Sequence, residues 1–417
     1  VIARSALVPF LSDLWRCCEG IKNIMHWNEK YARRARGLTG SAIRELLKLT
    51  EQPDFISLAG GLPAPESFPV AEIAAAAAAI LRDRGPQALQ YGATEGYRPL
   101  RELIARRTST ADYTLTAENV LITSGSQQAL DLLGKVFLDV GDRVLLESPT
   151  YLAALQAWNA YEVGYIDLPM DEEGLDPDAL EPALRQEPKF LYCVPNFHNP
   201  TGVTLSLARR QRLVALAAVH GLPLVEDDPY GALRFEGEAL PSLLTVAGAA
   251  GGVIQLSTFS KTLAPGLRVG WVVAPAEVIG RMALAKQGTD LHTGTLDQYI
   301  VHELLGSGQI EAGLPAIVAR YRERRDTMLA ALAEHFPAGV HWTRPTGGMF
   351  LWVTLPRGID ASELLPAAVE RGVAFVPGKS FFPNGGGEST MRLNFSNASP
   401  ERIREGIARL GSLLREY

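Results

Sequence analysis

Six short apolar runs, rich in β-branched residues, fall at 119–123, 143–147, 189–194, 222–226, 253–258 and 268–274, and helix-length stretches such as 127–138 and 206–220 separate them. A strand reaches a parallel neighbour only through a long crossover, so this alternation predicts an α/β layered domain with a mainly parallel sheet covered by helices. Outside this block the pattern is helical. Ile43, Leu46 and Leu47 have helical spacing in a segment that begins at Ser41 and is closed by Pro53. An alanine-rich helix is predicted over 72–84, stopped by Gly85-Pro86, and another over 98–107. Beyond Gln298 helices lengthen, with one over 320–335 and a strand at 348–353. The last stretch offers Ser399 as N-cap, Pro400 at the first helical position and Ile403, Ile407, Leu410 and Leu414 on one face. The last hundred residues or so therefore read as a smaller α+β domain.

Composition narrows the function. The chain's 40 basic and 46 acidic residues give a net charge of −6, so no global basic field attracts nucleic acid. Residues 1–44 carry eight basic and three acidic side chains, the balance of a solvated tail. The longest apolar run, 73–81, is nine residues and mostly alanine, far short of the ~18 needed to span a bilayer. Cys17, Cys18 and Cys193 make neither a disulfide framework nor a CxxC metal pair. A cytoplasmic protein without metal or membrane partner is expected.

No GxGxxG, Walker GxxxxGK[ST], HExxH or GxSxG motif occurs. Open α/β sheets bind ligands outside the carboxyl ends of their strands, so the polar clusters that follow the runs carry the argument. In TSGSQQALDLLGKVF (123–137), Ser126 and Gln127 open a helix whose free N–H groups suit a phosphate, although an ordinary serine cap reads the same way. VEDDPYG (225–231) puts Asp227 and Asp228 on opposite sides of an extended chain, as a ligand site, a metal site or a turn would. PNFHNPTG (195–202) is a proline-rich turn in which His198 alone is weak evidence for catalysis. STFSKTLAPGLRVGW (257–271) is the most informative. Of eight lysines in the chain, only Lys261 is flanked by hydroxyls, Thr258 and Ser260, with Arg268 seven residues on. A lysine beside cations and short of solvent has a lowered pKa and attacks aldehydes, and the hydroxyls and guanidinium suit a phosphate held close to it.

With these clusters in place, the chain resembles the fold-type I pyridoxal 5′-phosphate enzymes of the class I/II aminotransferase family, and within it the 2-aminoadipate and kynurenine aminotransferase-like group. The likeness runs in order through GGLPAPESFP (60–69), QYGATEGYRPLREL (90–103), GSQQAL (125–130), NPTG (199–202), EDDPY (226–230), SKTLAPGLRVGW (260–271), TRPTGGMF (343–350) and MRLNFS (391–396). It implies an N-terminal tail or arm over 1–40, a segment 41–69 associated with the small domain and the active site, a large cofactor-binding domain over 70–310 and a small domain over 311–417. Lys261 matches the lysine that bonds the cofactor and later moves the proton at the substrate Cα. Asp227 matches the carboxylate that keeps the pyridine nitrogen protonated. Asn199 and Tyr230 match the hydrogen-bond partners of the ring's phenolic oxygen, and Tyr151 the aromatic that stacks on the ring. Ser126, Gln127, Thr258, Ser260 and Arg268 match the phosphate ligands, with Tyr91 arriving from a second subunit, so a homodimer is expected. Arg392 matches the clamp on the substrate α-carboxylate, beside Asn199 and Gly61. Thr258 stands where serine is commoner, and His198 where this group often has glutamine.

The resemblance implies transfer of an amino group between an amino acid and a 2-oxo acid, with glutamate/2-oxoglutarate as one couple and 2-aminoadipate or a hydrophobic amino acid as the other. Arg44, in SAIRELLKLT (41–50), is the candidate reader of a distal carboxylate; pairing with an acid of its own helix is the plainer alternative. A lyase or decarboxylase on the same fold, and a non-catalytic regulator, remain alternatives. A binding module that has lost catalysis would not be expected to keep Lys261, Asp227, Asn199, Tyr230, Arg268 and Arg392 together.

Overall fold

The computed structural model describes residues 25–36 and 54–417, and the chain divides into two units, Val1–Leu38 and Thr39–Tyr417. In the first unit Trp27–Lys30 and Arg33–Arg36 form single helical turns. The helix expected from Ser41 lies outside the described residues.

In the second unit the first nine strands are β1 (Ile56–Ser57), β2 (Val120–Thr123), β3 (Arg143–Ser148), β4 (Gly164–Asp171), β5 (Gly174–Leu175), β6 (Leu191–Cys193), β7 (Leu224–Asp227), β8 (Val253–Thr258) and β9 (Gly270–Val273). The last five are β10 (His341–Trp342), β11 (Phe350–Thr354), β12 (Val373–Ala374), β13 (Val376–Pro377) and β14 (Thr390–Asn394). One eight-stranded sheet has the order β2-β9-β8-β7-β6-β3-β4-β5. All its strands run the same way except β9 and the two-residue β5. The mainly parallel α/β sheet expected from the alternation is thus present.

Its central strands are mostly buried because both faces are covered. Leu121, Val225, Ile254 and Val272 point into a core shared with Leu130 and Leu133 of the helix Ser126–Phe137 and with Met282 of the helix Ala276–Gln287. Their neighbours Val120, Leu224, Val253 and Val273 join a second core, with Leu213 and Leu216 of the helix Leu207–His220. The period of two along each strand divides the cores.

The reversal of β9 matters for function. Gly270 pairs with Thr258 on one side and Thr123 on the other, so the start of β9 lies level with the carboxyl ends of β2 and β8. Arg268, two residues earlier, is thereby delivered to the edge where the parallel strands end.

A four-stranded antiparallel sheet, β10-β11-β14-β13, and the parallel pair β1-β12 form the remainder. The helix Pro400–Leu414 packs along Gln309–His335, with Ile403, Ile407, Leu410 and Leu414 buried and the Ser399 hydroxyl accepting the Arg402 N–H at 3.4 Å. Two helix boundaries differ from expectation. The alanine-rich helix spans Val70–Ala88; helical dihedrals break at Arg84, φ −140°, and Pro86, which needs no amide partner near a helix start, lies in one further turn. The helix expected from 320 begins at Gln309 and carries Pro315 within it. Among the described residues no helix is long and apolar enough to cross a membrane.

Candidate active site

At the edge where the parallel strands end lies a cavity of about 540 Å³. Its wall is built from successive strand ends: Ser126 and Gln127 after β2, Tyr151 after β3, Asn199 after β6, Asp227 at the end of β7 and Tyr230 after it, Thr258 at the end of β8 with Ser260 and Lys261 after it, and Arg268 before β9. Gly61, Phe350 and Arg392 complete it from the segment after β1 and from β11 and β14. Residues separated by up to 331 positions in the chain, from Gly61 to Arg392, therefore share one space.

Lys261 Nζ donates to the Gly61 carbonyl at 2.9 Å. Burial, helped by the positive charges of Arg268 and Arg392, lowers its pKa to about 8, so a usable fraction is neutral amine near neutral pH. Asp227 is 2% exposed; its Oδ2 accepts the Tyr192 hydroxyl at 2.9 Å, whereas Oδ1 has no hydrogen-bond partner among the described residues. Burial raises its pKa to about 7, against the pull of the Tyr192 hydrogen bond. A buried carboxylate with a free lone pair on a cavity wall is costly unless an N–H donor or a cation meets it.

Arg392 is 2% exposed, and burial lowers its pKa to about 10. Its Nη1 donates to Asn199 Oδ1 at 2.7 Å and Nη2 to the Ala59 carbonyl at 2.6 Å, while Nε has no partner among the described residues. The guanidinium lies 4.3 Å from the Phe350 ring centroid, so an aromatic face, which carries no competing anion, holds it in place. Asn199 Nδ2 donates in turn to the Tyr230 hydroxyl at 3.4 Å. Burial raises the pKa of Tyr151 to about 12 and that of Tyr230 further, so both phenols stay protonated as donors.

A concave anion cup occupies one end. Gly125, at φ +77°, precedes the helix Ser126–Phe137, and a Cβ there would sit 2.3 Å from Arg268 Nη2. Only glycine allows this approach. Arg268 Nη2 donates to the Ser124 carbonyl at 3.0 Å, and the Thr258 and Ser260 hydroxyls lie 2.8 Å apart. Helix N–H groups, two hydroxyls and a guanidinium converge as a phosphate requires.

One sequence candidate among the described residues is not brought to the cavity. Tyr91 does not line it; the residue is 79% exposed and edge-on to His292 at 5.7 Å. Arg44 lies outside the described residues. His198 is buried away from the cavity, its Nε2 3.1 Å from Glu147 Oε2 and its Nδ1 2.8 Å from Thr201 Oγ1, where it braces the turn that carries Asn199. Tyr192 and Phe350 were not singled out from the sequence. Tyr192 leaves one signal there, a hydroxyl in an otherwise apolar strand.

The family model for aminotransferase class I and II matches residues 53–410. The chain is 50% identical over 394 residues to the 2-aminoadipate transaminase of Thermus thermophilus, covering 94% of this chain and 98% of the relative. It is 47% identical over 396 residues to aromatic-amino-acid aminotransferase 1 of Thermococcus litoralis, covering 93% and 95%. Among solved structures, the α-aminoadipate aminotransferase of Thermus thermophilus, complexed with N-(5′-phosphopyridoxyl)-L-leucine, superposes with a TM-score of 0.88 at 48% identity, covering 94% of this chain and 99% of that one. The chain belongs to the class I and II aminotransferases and is a transaminase.

Proposed function

We propose that this aminotransferase uses glutamate/2-oxoglutarate as one couple and 2-aminoadipate or a hydrophobic amino acid as the other, at a site centred on Lys261. Its cofactor is pyridoxal 5′-phosphate. The observation that carries the site assignment is the buried Asp227 with Oδ1 unpartnered among the described residues, on the wall of the cavity that Lys261 also lines.

The residues present fit the cofactor. Ser126, Gln127, Thr258, Ser260 and Arg268 would hold its phosphate, Tyr151 its ring face, Asn199 and Tyr230 its phenolic oxygen, and Asp227 Oδ1 its pyridine N–H. When bound, the cofactor supplies an electron sink for the charge left as the substrate Cα loses its proton. Lys261 Nζ would be the point of attachment for the cofactor and, as a free amine, the base that takes the proton from the substrate Cα. Its lowered pKa suits both tasks, since each needs the neutral amine. Asp227 holds the ring proton in place. Arg392 orients the substrate by its α-carboxylate, and the aromatic rings beneath it keep water away.

Tyr192 opposes the effect of burial on the ionisation of Asp227. Its hydrogen bond lowers the Asp227 pKa, so removing it raises that pKa and moves the acid limb of kcat/KM to higher pH. Tyr192→Phe is expected to lower kcat/KM at pH 7 roughly tenfold, as the loss of a charge-assisted hydrogen bond implies, and to recover toward wild type as pH rises. A pH profile of kcat/KM checks this; a uniform loss at all pH values contradicts it.

The substrate couple rests on the aminoadipate and aromatic relatives and on the cavity wall. Among the described lining residues the cations are Lys261, Arg268 and Arg392, each already given a role, and the remaining wall includes Leu62, Leu152 and Gln156. That wall suits an apolar side chain. A distal carboxylate then needs Arg44, and Arg44→Ala is expected to lower kcat/KM for glutamate and 2-aminoadipate about tenfold or more while leaving leucine or phenylalanine nearly unchanged. Equal loss for both classes contradicts the role.

We further propose a cytoplasmic homodimer in which Tyr91 of one subunit reaches the phosphate end of the other; its exposure and its absence from its own cavity wall support this. The segment 41–69 is proposed to be associated with a small domain, 311–417, and with the active site, beside the large domain, 70–310. The parallel pairing of Ile56 with Val373 supports that grouping.

A further inference from the structure

A lysine that no part of the mechanism uses lies behind the anion cup. Lys286, in the last turn of the helix Ala276–Gln287, is 0% exposed. An ammonium is buried only where its donors are met. Here Nζ donates to Gln128 Oε1 at 2.5 Å, to both carboxylate oxygens of Asp290 at 2.9 Å, and to Thr293 Oγ1 at 3.1 Å.

These partners converge on Ser124, the residue before Gly125. Gln128 Oε1 also accepts the Ser124 backbone N–H at 2.8 Å. The Ser124 hydroxyl donates to Asp290 Oδ2 at 3.0 Å and lies 3.2 Å from Thr293 Oγ1. The Ser124 carbonyl accepts Arg268 at 3.0 Å. Thus the N–H and the hydroxyl of Ser124 are held by groups bonded to Lys286, and its carbonyl by a wall residue of the cup. The same loop continues to Tyr91: His292 Nε2 accepts the Gly92 N–H at 3.3 Å, and the Thr295 hydroxyl donates to the Gln90 carbonyl at 3.2 Å.

Glycine at φ +77° leaves the cup backbone free to move unless its neighbours are fixed. An anion site gains affinity when its N–H groups are already aimed. We infer that Lys286 is a positioning residue for the cofactor phosphate, acting through Gln128, Asp290 and Thr293 on Ser124 and so on the N–H groups that open the helix Ser126–Phe137. It touches no ligand itself. The inference rests on the assignment of the phosphate cup above.

The test compares two ligands on apoprotein by equilibrium titration: pyridoxal phosphate and pyridoxal, which lacks the phosphate. Lys286→Met removes the ammonium, and Gln128→Leu, which keeps the buried ion pair, carries the test if the first variant fails to fold. In either variant the Kd for pyridoxal phosphate is expected to rise about tenfold or more, the effect of losing a charge-assisted hydrogen bond. The Kd for pyridoxal is expected to stay within about twofold, because a phosphate-specific device leaves the ring site alone. Equal weakening of both ligands marks a merely structural lysine and overturns the inference, as does an unchanged Kd for pyridoxal phosphate. Wild type that binds pyridoxal phosphate no tighter than pyridoxal overturns the cup assignment and the inference with it.

Discussion

Lys261→Ala is expected to slow amino-group transfer by about ten-thousandfold, the upper end of what a positioned acid-base group contributes. The reason is that one nitrogen has two tasks. It lies on the cavity wall, anchored to the Gly61 carbonyl at 2.9 Å, and burial together with Arg268 and Arg392 brings its pKa to about 8. Alanine removes both the attachment point and the base, and no other lysine lines the cavity among the described residues. The anion cup and Asp227 are left intact, so pyridoxal phosphate is still expected to bind, without the visible band that attachment to a lysine produces. Single-turnover rates with glutamate, read by absorbance, check the expectation. A variant within about tenfold of wild type would mean that another group does the work of Lys261.

Asp227→Asn is expected to cost about a hundred- to a thousandfold in kcat, the range found when a preorganised electrostatic partner of the transition state is removed. The side chain keeps its shape and its hydrogen bond with the Tyr192 hydroxyl, so the fold is preserved. What disappears is the negative charge facing the cavity. A neutral amide cannot hold a proton on a ring nitrogen, and the electron sink weakens accordingly. The unpartnered Oδ1 adds a second consequence. Burial raises the Asp227 pKa to about 7, so a cationic N–H placed against Oδ1 draws the group back to its ionised form. Pyridoxal phosphate should therefore bind wild type more tightly than it binds Asp227→Asn. Rates and affinities within about threefold of wild type would contradict this role.

Much of this architecture is legible in the chain because strand tips carry it. Several apolar runs end in polar clusters, and in a parallel sheet all the carboxyl ends face one way, so Ser126, Asn199, Asp227 and Lys261 converge without any tertiary information. Arg268 is legible for a less obvious reason. It precedes a strand instead of following one, and only the antiparallel course of β9 brings it to the same edge. Side-chain contacts between strands are not legible. Tyr192 and Asp227 are 35 residues apart and meet only because β6 and β7 are neighbours. Lys286 reads as an ordinary last-turn lysine of a helix, favourable to the dipole and solvated; its complete burial follows from the packing of that helix behind the cup. The stop expected at Gly85-Pro86 shows as the break in helical dihedrals at Arg84, and the further turn to Ala88 follows because a proline that interrupts one helix is well placed to open the next.

The central claim is a transaminase built on Lys261 that accepts glutamate, and an absorption spectrum of the full chain with pyridoxal phosphate tests it most directly. Glutamate should convert the visible band of the lysine-attached cofactor into the near-ultraviolet band of pyridoxamine phosphate, and 2-oxoglutarate should restore it. A visible band that glutamate leaves unmoved would contradict the glutamate couple, and the absence of any band would contradict the site itself.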